Sequence, residues 1–326
     1  MVEQTVEHAA QESKELLGPD IRRDFAVVIP AFDEAANIPD LIREIRAVFD
    51  QEQLDGEVIL VDDGSADGTA DLAKSEAAGW SNLRVLRHRI NQGKTEAILT
   101  AALATQKTYL IVFDADLQHL PTEFPRFLGK LGEGWDIVTG RKVGAYDKRG
   151  VSSVYNWLSR RIFDVPVSDL NSIKAFRREI LDGVRLRHDW HRFFVVMAYA
   201  KGYSATEIDV TLHPRRAGTS KYSGPGRVIG GLLDLISVWF QIIFARKPML
   251  LFGVPGVVLI ALGLGVGAVA FYLRIVEGFG FRPLLYLVIL LVTVGTLCFV
   301  AGLLAEMIAG LRDELDFLRR KISERD

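Results

Sequence analysis

A chain of 326 residues that is 49% hydrophobic and 25% charged has room for one or two domains with a sizeable core. Its net charge of −2 gives no basis for nucleic-acid binding, and its single cysteine, Cys298, excludes an intramolecular disulfide and is compatible with a reducing compartment. Residues 1–24 are mostly polar, without the basic-then-apolar pattern of a secretory signal, and read as a loose lead-in.

In chain order, residues 25–30 (Phe-Ala-Val-Val-Ile-Pro) predict a buried first strand. Asn37 stands where it can cap a helix carrying Leu41, Ile42, Ile45 and Val48 at helical spacing. Residues 57–61 predict a second strand, followed by Asp62-Asp63-Gly64-Ser65-Ala66-Asp67-Gly68-Thr69 and a helix to about residue 78. A third strand spans 83–86, and Asn91-Gln92-Gly93-Lys94 opens another helix. Residues 109–112 and 136–139 read as the fourth and fifth strands, the latter ending in Gly140-Arg141. Helices near 151–163 and 192–200 precede a last strand at 205–211. This alternation predicts an α/β domain built on a parallel, doubly wound sheet. Two lookalikes fail. The turn after the first strand is Ala31-Phe32-Asp33-Glu34 rather than a glycine-rich dinucleotide fingerprint. The calcium-loop-like run from Asp63 has Lys74 where a bidentate glutamate is needed.

The hydrophobicity is concentrated near the C-terminus. Residues 249–273 and 284–305 carry no charge, and each exceeds the roughly 20 apolar residues that cross a bilayer. Gly263, Gly265 and Gly267 in the first run, with Gly295 and Gly302 in the second, predict close helix contact. Arg246 and Lys247 precede the pair and Arg312, Arg319, Arg320 and Lys321 follow it, whereas the hairpin tip has only Arg274 and Arg282. The positive-inside bias predicts an integral membrane protein with a cytoplasmic N-terminal domain, in the plasma membrane if the source is prokaryotic. Between domain and hairpin, 227–247 is apolar and includes Trp239, which reads either as a helix along the membrane surface or as a packing helix of the soluble domain. The expected divisions are 1–24, 25–226, 227–247, 248–305 and a charged helix at 306–326. From the end of the second span through that last helix, Leu304, Ile308, Leu311, Leu315, Leu318 and Ile322 follow a 4-3-4-3-4 spacing, a seam that predicts a homo-oligomer.

The chain's chemistry centres on Asp114-Ala115-Asp116-Leu117-Gln118, delivered by the fourth strand at its carboxyl end, where open α/β sheets bind ligands. Side chains two apart on extended backbone point the same way, so Asp114 and Asp116 can face one ion, with Gln118 adding a neutral oxygen. Hard oxygens in this number suit Mg2+ or Mn2+, with water and a diphosphate completing the shell. The bland alternative is a solvated loop holding two acids by chance.

Val28-Ile-Pro-Ala-Phe-Asp-Glu34, Val61-Asp-Asp-Gly-Ser65 with Asp67-Gly-Thr69, Asn91-x-Gly-Lys94, Asp114-Ala-Asp-Leu-Gln118 and Arg215-x-x-Gly218-x-Ser220-Lys221-Tyr222 occur in that order. Together with the apolar hairpin they resemble the dolichol-phosphate mannose synthase and polyprenyl-phosphate glycosyltransferase group of glycosyltransferase family 2, over roughly 25–310. The resemblance implies a GT-A type, Rossmann-like glycosyltransferase domain followed by an amphipathic interface helix and a two-helix transmembrane hairpin. It implies that Pro30, Phe32, Glu34, Val61 and Asp63 line the pocket for base and ribose. Asp114, Asp116 and Gln118 would hold the metal, with Ala115 beside the donor. Arg141, Arg149, Ser153 and Arg215 would hold the acceptor phosphate, and Lys221 would close over the donor diphosphate. Phe32 and Asp33 stand where relatives commonly have Tyr and Asn, and the segment from Asp169 to Phe176 lacks a frequent Ser-Gly-Phe pattern, which puts the sugar in doubt.

The reaction implied is inverting transfer of a hexose from GDP-mannose or a UDP-hexose to polyprenyl phosphate, dolichyl or undecaprenyl. The nucleophile needs no general base, because a phosphate monoester is largely ionised at pH 7. Asp116, Arg141, Arg215 and Lys221 are the catalytic candidates. His119 reads as a phosphate donor or a loop-shaping residue; His188, His191 and His213 read as structural. Two rivals remain: a polysaccharide synthase, against which stands the absence of Gln-x-x-Arg-Trp, and a non-catalytic membrane scaffold.

Overall fold

The computed structural model describes residues 17–143, 165–170, 172–184, 186, 191, 193–216, 237–240, 248–278 and 280–323. The chain divides into two compact units, 1–234 and 235–326.

The first unit is organised on β1 (Phe25–Ala31), whose residues are almost all buried because both sheet faces are covered. Then come α1 (Ile38–Glu52), β2 (Glu57–Asp62), α2 (Thr69–Glu76), β3 (Leu83–Arg87), α3 (Lys94–Leu103) and β4 (Tyr109–Val112). After a short 3-10 turn at Pro121–Glu123 follow α4 (Phe124–Gly132), β5 (Ile137–Val143), β6 (Lys174–Arg177), α5 (Ile180–Gly183), α6 (Phe194–Ala200) and β7 (Ala205–Thr211). The strands form one sheet in the order β3-β2-β1-β4-β6-β5-β7. Helix α1 buries Ile38, Leu41, Ile42, Ile45, Val48 and Phe49, and Phe49 bridges Phe25 and Trp80 at centroid distances of 5.7 and 5.5 Å. Each such buried side chain contributes about 1.5–3 kcal/mol relative to exposure.

Three expectations need correction. The sheet is mixed: β6 runs antiparallel to both β4 and β5, while the other pairs are parallel. At four residues with Lys174 inside, β6 lacks the uninterrupted apolar run that marks the other central strands. Helix α4 was not expected, although Phe124, Phe127, Leu128 and Leu131 are buried at helical spacing. Asn37 occupies the N-cap position of α1 without capping it. Its backbone is already near-helical (φ −94, ψ −21), and its side-chain amide donates instead to Glu34 Oε2 at 2.6 Å. The helix expected at 151–163 and most of 227–247 lie outside the described residues; Ser237–Phe240 are helical.

The second unit holds α7 (Pro248–Ile275) and α8 (Arg282–Ser323), packed against each other as a hairpin. Both are long and apolar enough to cross a membrane, and only 17% and 11% of their most apolar windows are buried, unlike core helices of a water-soluble fold. Glycines set their contact. A Cβ on Gly256 would stand 2.7 Å from Gly295 O, and one on Gly302 would stand 2.9 Å from Gly253 N. Gly263 faces Val292, but Gly265 meets nothing within 4 Å and is not part of the interface. Helix α8 runs without a break from the apolar span into the charged tail.

Candidate active site

Beyond β4, Phe113 and Ala115 are buried on either side of a half-buried Asp114, and Asp116, 8% exposed, and Leu117 are buried before a half-buried Gln118. Leu117 takes a left-handed backbone (φ 54), an uncommon conformation for a branched residue, which turns the chain sharply after Asp116. The turn is held by Gln118 N–H donating to Asp116 Oδ1 at 3.2 Å and by His213 N–H donating to Gln118 O at 2.8 Å.

Each carboxylate already has a cation. Lys94, the first residue of α3, donates to Asp114. Arg215 Nη2 lies 2.7 Å from Asp116 Oδ2, joining two residues 99 apart in sequence. Desolvation opposes ionisation of Asp114, but the charge and hydrogen bond of Lys94 outweigh it and hold its pKa at about 2. Asp116 is shifted the other way. Burial, then the charge of Asp114, raise its pKa above the ordinary carboxylate value, against the Gln118 N–H and Arg215. The two carboxylates are hard oxygen donors whose negative charge is balanced by resident side-chain cations. They fit a divalent cation such as Mg2+ or Mn2+. Among the described residues there is no cluster of three or more His, Cys, Asp or Glu, so the rest of such an ion's shell would come from outside that set.

The other end of the site is Asp63, 3% exposed at the exit of β2. It accepts from Gln92 N–H at 2.8 Å and Gly93 N–H at 2.7 Å, and pairs with His88 Nδ1 at 2.7 Å. Gly93 sits at φ 92, a conformation that glycine alone adopts cheaply. The turn after β1 is laced to the loop after β2: Asp33 N–H donates to Ser65 Oγ, Glu34 N–H to Thr69 Oγ1 and Ala35 N–H to Asp67 Oδ2, at 2.8–3.0 Å. Pro30, Phe32 and Glu34 are half-buried along this rim, whereas Val61 is fully buried in the sheet.

On the β5 side the structure separates two neighbours. Arg141 is exposed and pairs with Asp209 and Glu207 of β7. Lys142 lies 3.3 Å from Asp169 Oδ2, and its charge is felt by His119 and Lys174. Successive strand residues face opposite ways, and of the two it is Lys142 that lies beside Asp169. Lys174, 6% exposed, donates to the carbonyls of Leu170 and His191 at 3.1 and 3.2 Å. Burial, then the nearby Lys94, bring its pKa down to about 7. His119 is also buried, and burial lowers it to about 4, so it is neutral at pH 7; its Nε2 lies 3.3 Å from Ser172 Oγ. A small cavity with room for about one water connects Asp114, Lys94, Lys174, Ser172 and His191.

The structure thus brings together Asp114, Asp116, Gln118 and Arg215 from the expected set and adds Lys94, Lys142, Lys174 and Asp169. Arg149, Ser153 and Lys221 lie outside the described residues. Lys94 was visible in the sequence as the end of the Asn91-x-Gly-Lys94 motif, Lys142 as a strand-end residue and Lys174 as a charge between Ser172 and Phe176, but each needs the fold to show which way it points.

Residues 26–199 match the model of the family described as Glycosyl transferase family 2. The chain is 31% identical to an undecaprenyl-phosphate 4-deoxy-4-formamido-L-arabinose transferase of Pseudomonas fluorescens (strain Pf0-1), over 78% of this chain and 75% of that one. It is 31% identical to a dodecaprenyl-phosphate galacturonate synthase of Rhizobium johnstonii, over 88% of each. Among solved structures it is similar to glucosyl-3-phosphoglycerate synthase of Mycobacterium tuberculosis, crystallised with Mn2+, UDP and glucosyl-3-phosphoglycerate. There the TM-score is 0.54 at 19% identity, over 72% of this chain and 83% of that one. The last likeness shows the fold, an α/β domain of the GT-A type.

Proposed function

The chain belongs to glycosyl transferase family 2, and on that premise we propose that it is a polyprenyl-phosphate glycosyltransferase. It moves a hexose from a nucleotide-sugar donor, GDP-mannose or a UDP-hexose, to a polyprenyl phosphate of the dolichyl or undecaprenyl type. The observation that carries the reading is the pair Asp114 and Asp116 at the carboxyl edge of the sheet, each matched to a cation. Polyprenyl-phosphate relatives at 31% identity support the acceptor.

In this reading Asp114 and Asp116, with Gln118, hold Mg2+ or Mn2+, which when bound supplies positive charge to the donor diphosphate. Arg215 and Lys94 are the resident cations available to phosphate oxygens, as charge-assisted donors. Lys142 adds positive potential on the acceptor side, and Arg141, Arg149, Ser153 and Lys221 keep their proposed phosphate-binding roles. The acceptor phosphate attacks the anomeric carbon as an anion, so no side chain has to remove a proton. A neutral, buried His119 is consistent with that, because it offers neither a cation nor a base poised near pH 7. In-line displacement on an α-linked donor inverts the centre and gives a β-linked lipid phosphosugar. In this reading the two apolar helices anchor the enzyme beside its lipid, and the lysines and arginines flanking them support a cytoplasmic orientation of the catalytic domain. Leu304, Ile308, Leu311, Leu315 and Leu318, each 48–61% exposed, support self-association through the seam on α8.

The test is incubation of the purified protein in detergent with labelled nucleotide sugars, Mn2+ or Mg2+ and undecaprenyl phosphate. Lipid-extractable label released by mild acid supports the reading. Water-soluble polymer would indicate a polysaccharide synthase instead, and no turnover across a donor panel would leave a scaffold. Light scattering in mild detergent checks the seam, and a monodisperse monomer rejects it.

A further inference from the structure

The motif Asn91-Gln92-Gly93-Lys94 touches both ends of the site and has no part in the reading above beyond its lysine. Gln92 and Gly93 give their N–H groups to Asp63, at the base and ribose end, and the next residue gives its ammonium to Asp114, at the diphosphate end. We propose that Lys94 is the resident counter-ion of the metal site, and that it passes from Asp114 to the donor diphosphate when metal and nucleotide enter together. This rests on the reading of Asp114 and Asp116 as the metal-bearing pair.

The argument is one of charge. Asp114, Asp116, Lys94 and Arg215 form a neutral quartet in which each carboxylate has its own cation. A bare divalent ion entering it must compete with both side chains and leaves two positive groups facing a third. A divalent ion bound to a diphosphate is close to neutral. It gives the carboxylates their cation and gives Lys94 and Arg215 phosphate oxygens in exchange, so every charge stays paired. The described residues offer no third acid to hold the ion by protein alone, and the missing ligands match diphosphate oxygens. The turn preceding Lys94 is fixed on Asp63 by two backbone N–H bonds, which keeps the lysine within reach of both partners. Metal and nucleotide then bind with positive linkage, and each tightens the other by the same factor.

The test separates Lys94 as counter-ion from Lys94 as a mere structural support, because the two roles predict different signs. In the full-length protein in detergent, Mn2+ binding alone is followed by electron paramagnetic resonance, and binding of metal-free UDP and GDP by calorimetry. Lys94→Gln is expected to bind Mn2+ alone about tenfold tighter than wild type, because the competing charge is gone, and metal-free nucleotide about tenfold weaker. Lys94→Arg keeps the charge and is expected to return both values toward wild type. If Lys94→Gln weakens both ligands, or moves neither, the inference is overturned while the metal pair stands. If the wild type takes up no Mn2+ even with nucleotide present, the metal reading itself fails and the inference falls with it.

Discussion

Replacing Lys174 by methionine should change the pH dependence of stability in a calculable way. The ammonium is buried at the start of β6, donates to two backbone carbonyls, and feels Lys94 from α3, Lys142 from β5, and Asp114 and Asp169 from the adjoining loops. Burial and the two lysines outweigh the two aspartates, so its pKa falls from the ordinary 10.5 to about 7. The unfolded chain therefore binds more protons than the folded one between those values, and this contribution makes the protein more stable as pH rises through the window. Between pH 6 and pH 9 the gain is ~2–3 kcal/mol, or roughly 5–10 °C in Tm for a domain of this size. Methionine matches the length without the charge, and the protein's other titrations largely cancel in the difference between wild type and variant. Thermal unfolding in detergent at pH 6 and pH 9 measures that difference. Wild type should gain on Lys174→Met as pH rises. A gap that stays constant within ~1 °C, or closes in the opposite direction, would refute the reasoning.

Three further outcomes follow from the geometry. Asp116→Ala should lower lipid-linked sugar formation by at least about a thousandfold with an unchanged circular dichroism spectrum; activity near wild type would exclude Asp116 from the metal site. Asp63→Ala removes the acceptor of the Gln92 and Gly93 N–H groups and the partner of His88, which should cost ~2 kcal/mol and lower Tm by roughly 4–8 °C; a Tm within a degree or two of wild type would show that the 88–93 segment has other support. In the hairpin, Gly256→Leu meets the backbone of α8 at Gly295 and Phe299, whereas Gly265→Leu meets open space. The first should destabilise by ~1–3 kcal/mol and the second should be nearly silent in the same melt; equal effects would disprove the packing.

Much of this was legible from residues alone. Strands β1, β2 and β4 and both apolar helices announce themselves by apolar runs, β3 and β7 by shorter patterns interrupted by charges, and the two carboxylates after β4 follow from strand alternation. What the sequence hid is what depends on the third dimension. The reversed β6 is short and contains a lysine, so no periodicity marks it. The alternation of β5 pairs Arg141 with Asp209 and Lys142 with Asp169, on opposite faces, and no sequence pattern names those partners. Lys94 was visible as part of a motif, but its partner lies 20 residues on and across two strands of the sheet. Asn37 had the right residue type for a cap, and only its backbone angles show that it steadies Glu34 instead.

The backward strand has one more consequence. A strand laid against the grain of its neighbours enters the sheet at the edge where they leave it. Chain that precedes it is thereby brought to the site's side of the sheet, Asp169 and Ser172 with it. A residue inserted or deleted there re-aims that stretch while β1, β2 and β4 keep their register, so the enzyme can be retuned on one side of its cleft without disturbing the other.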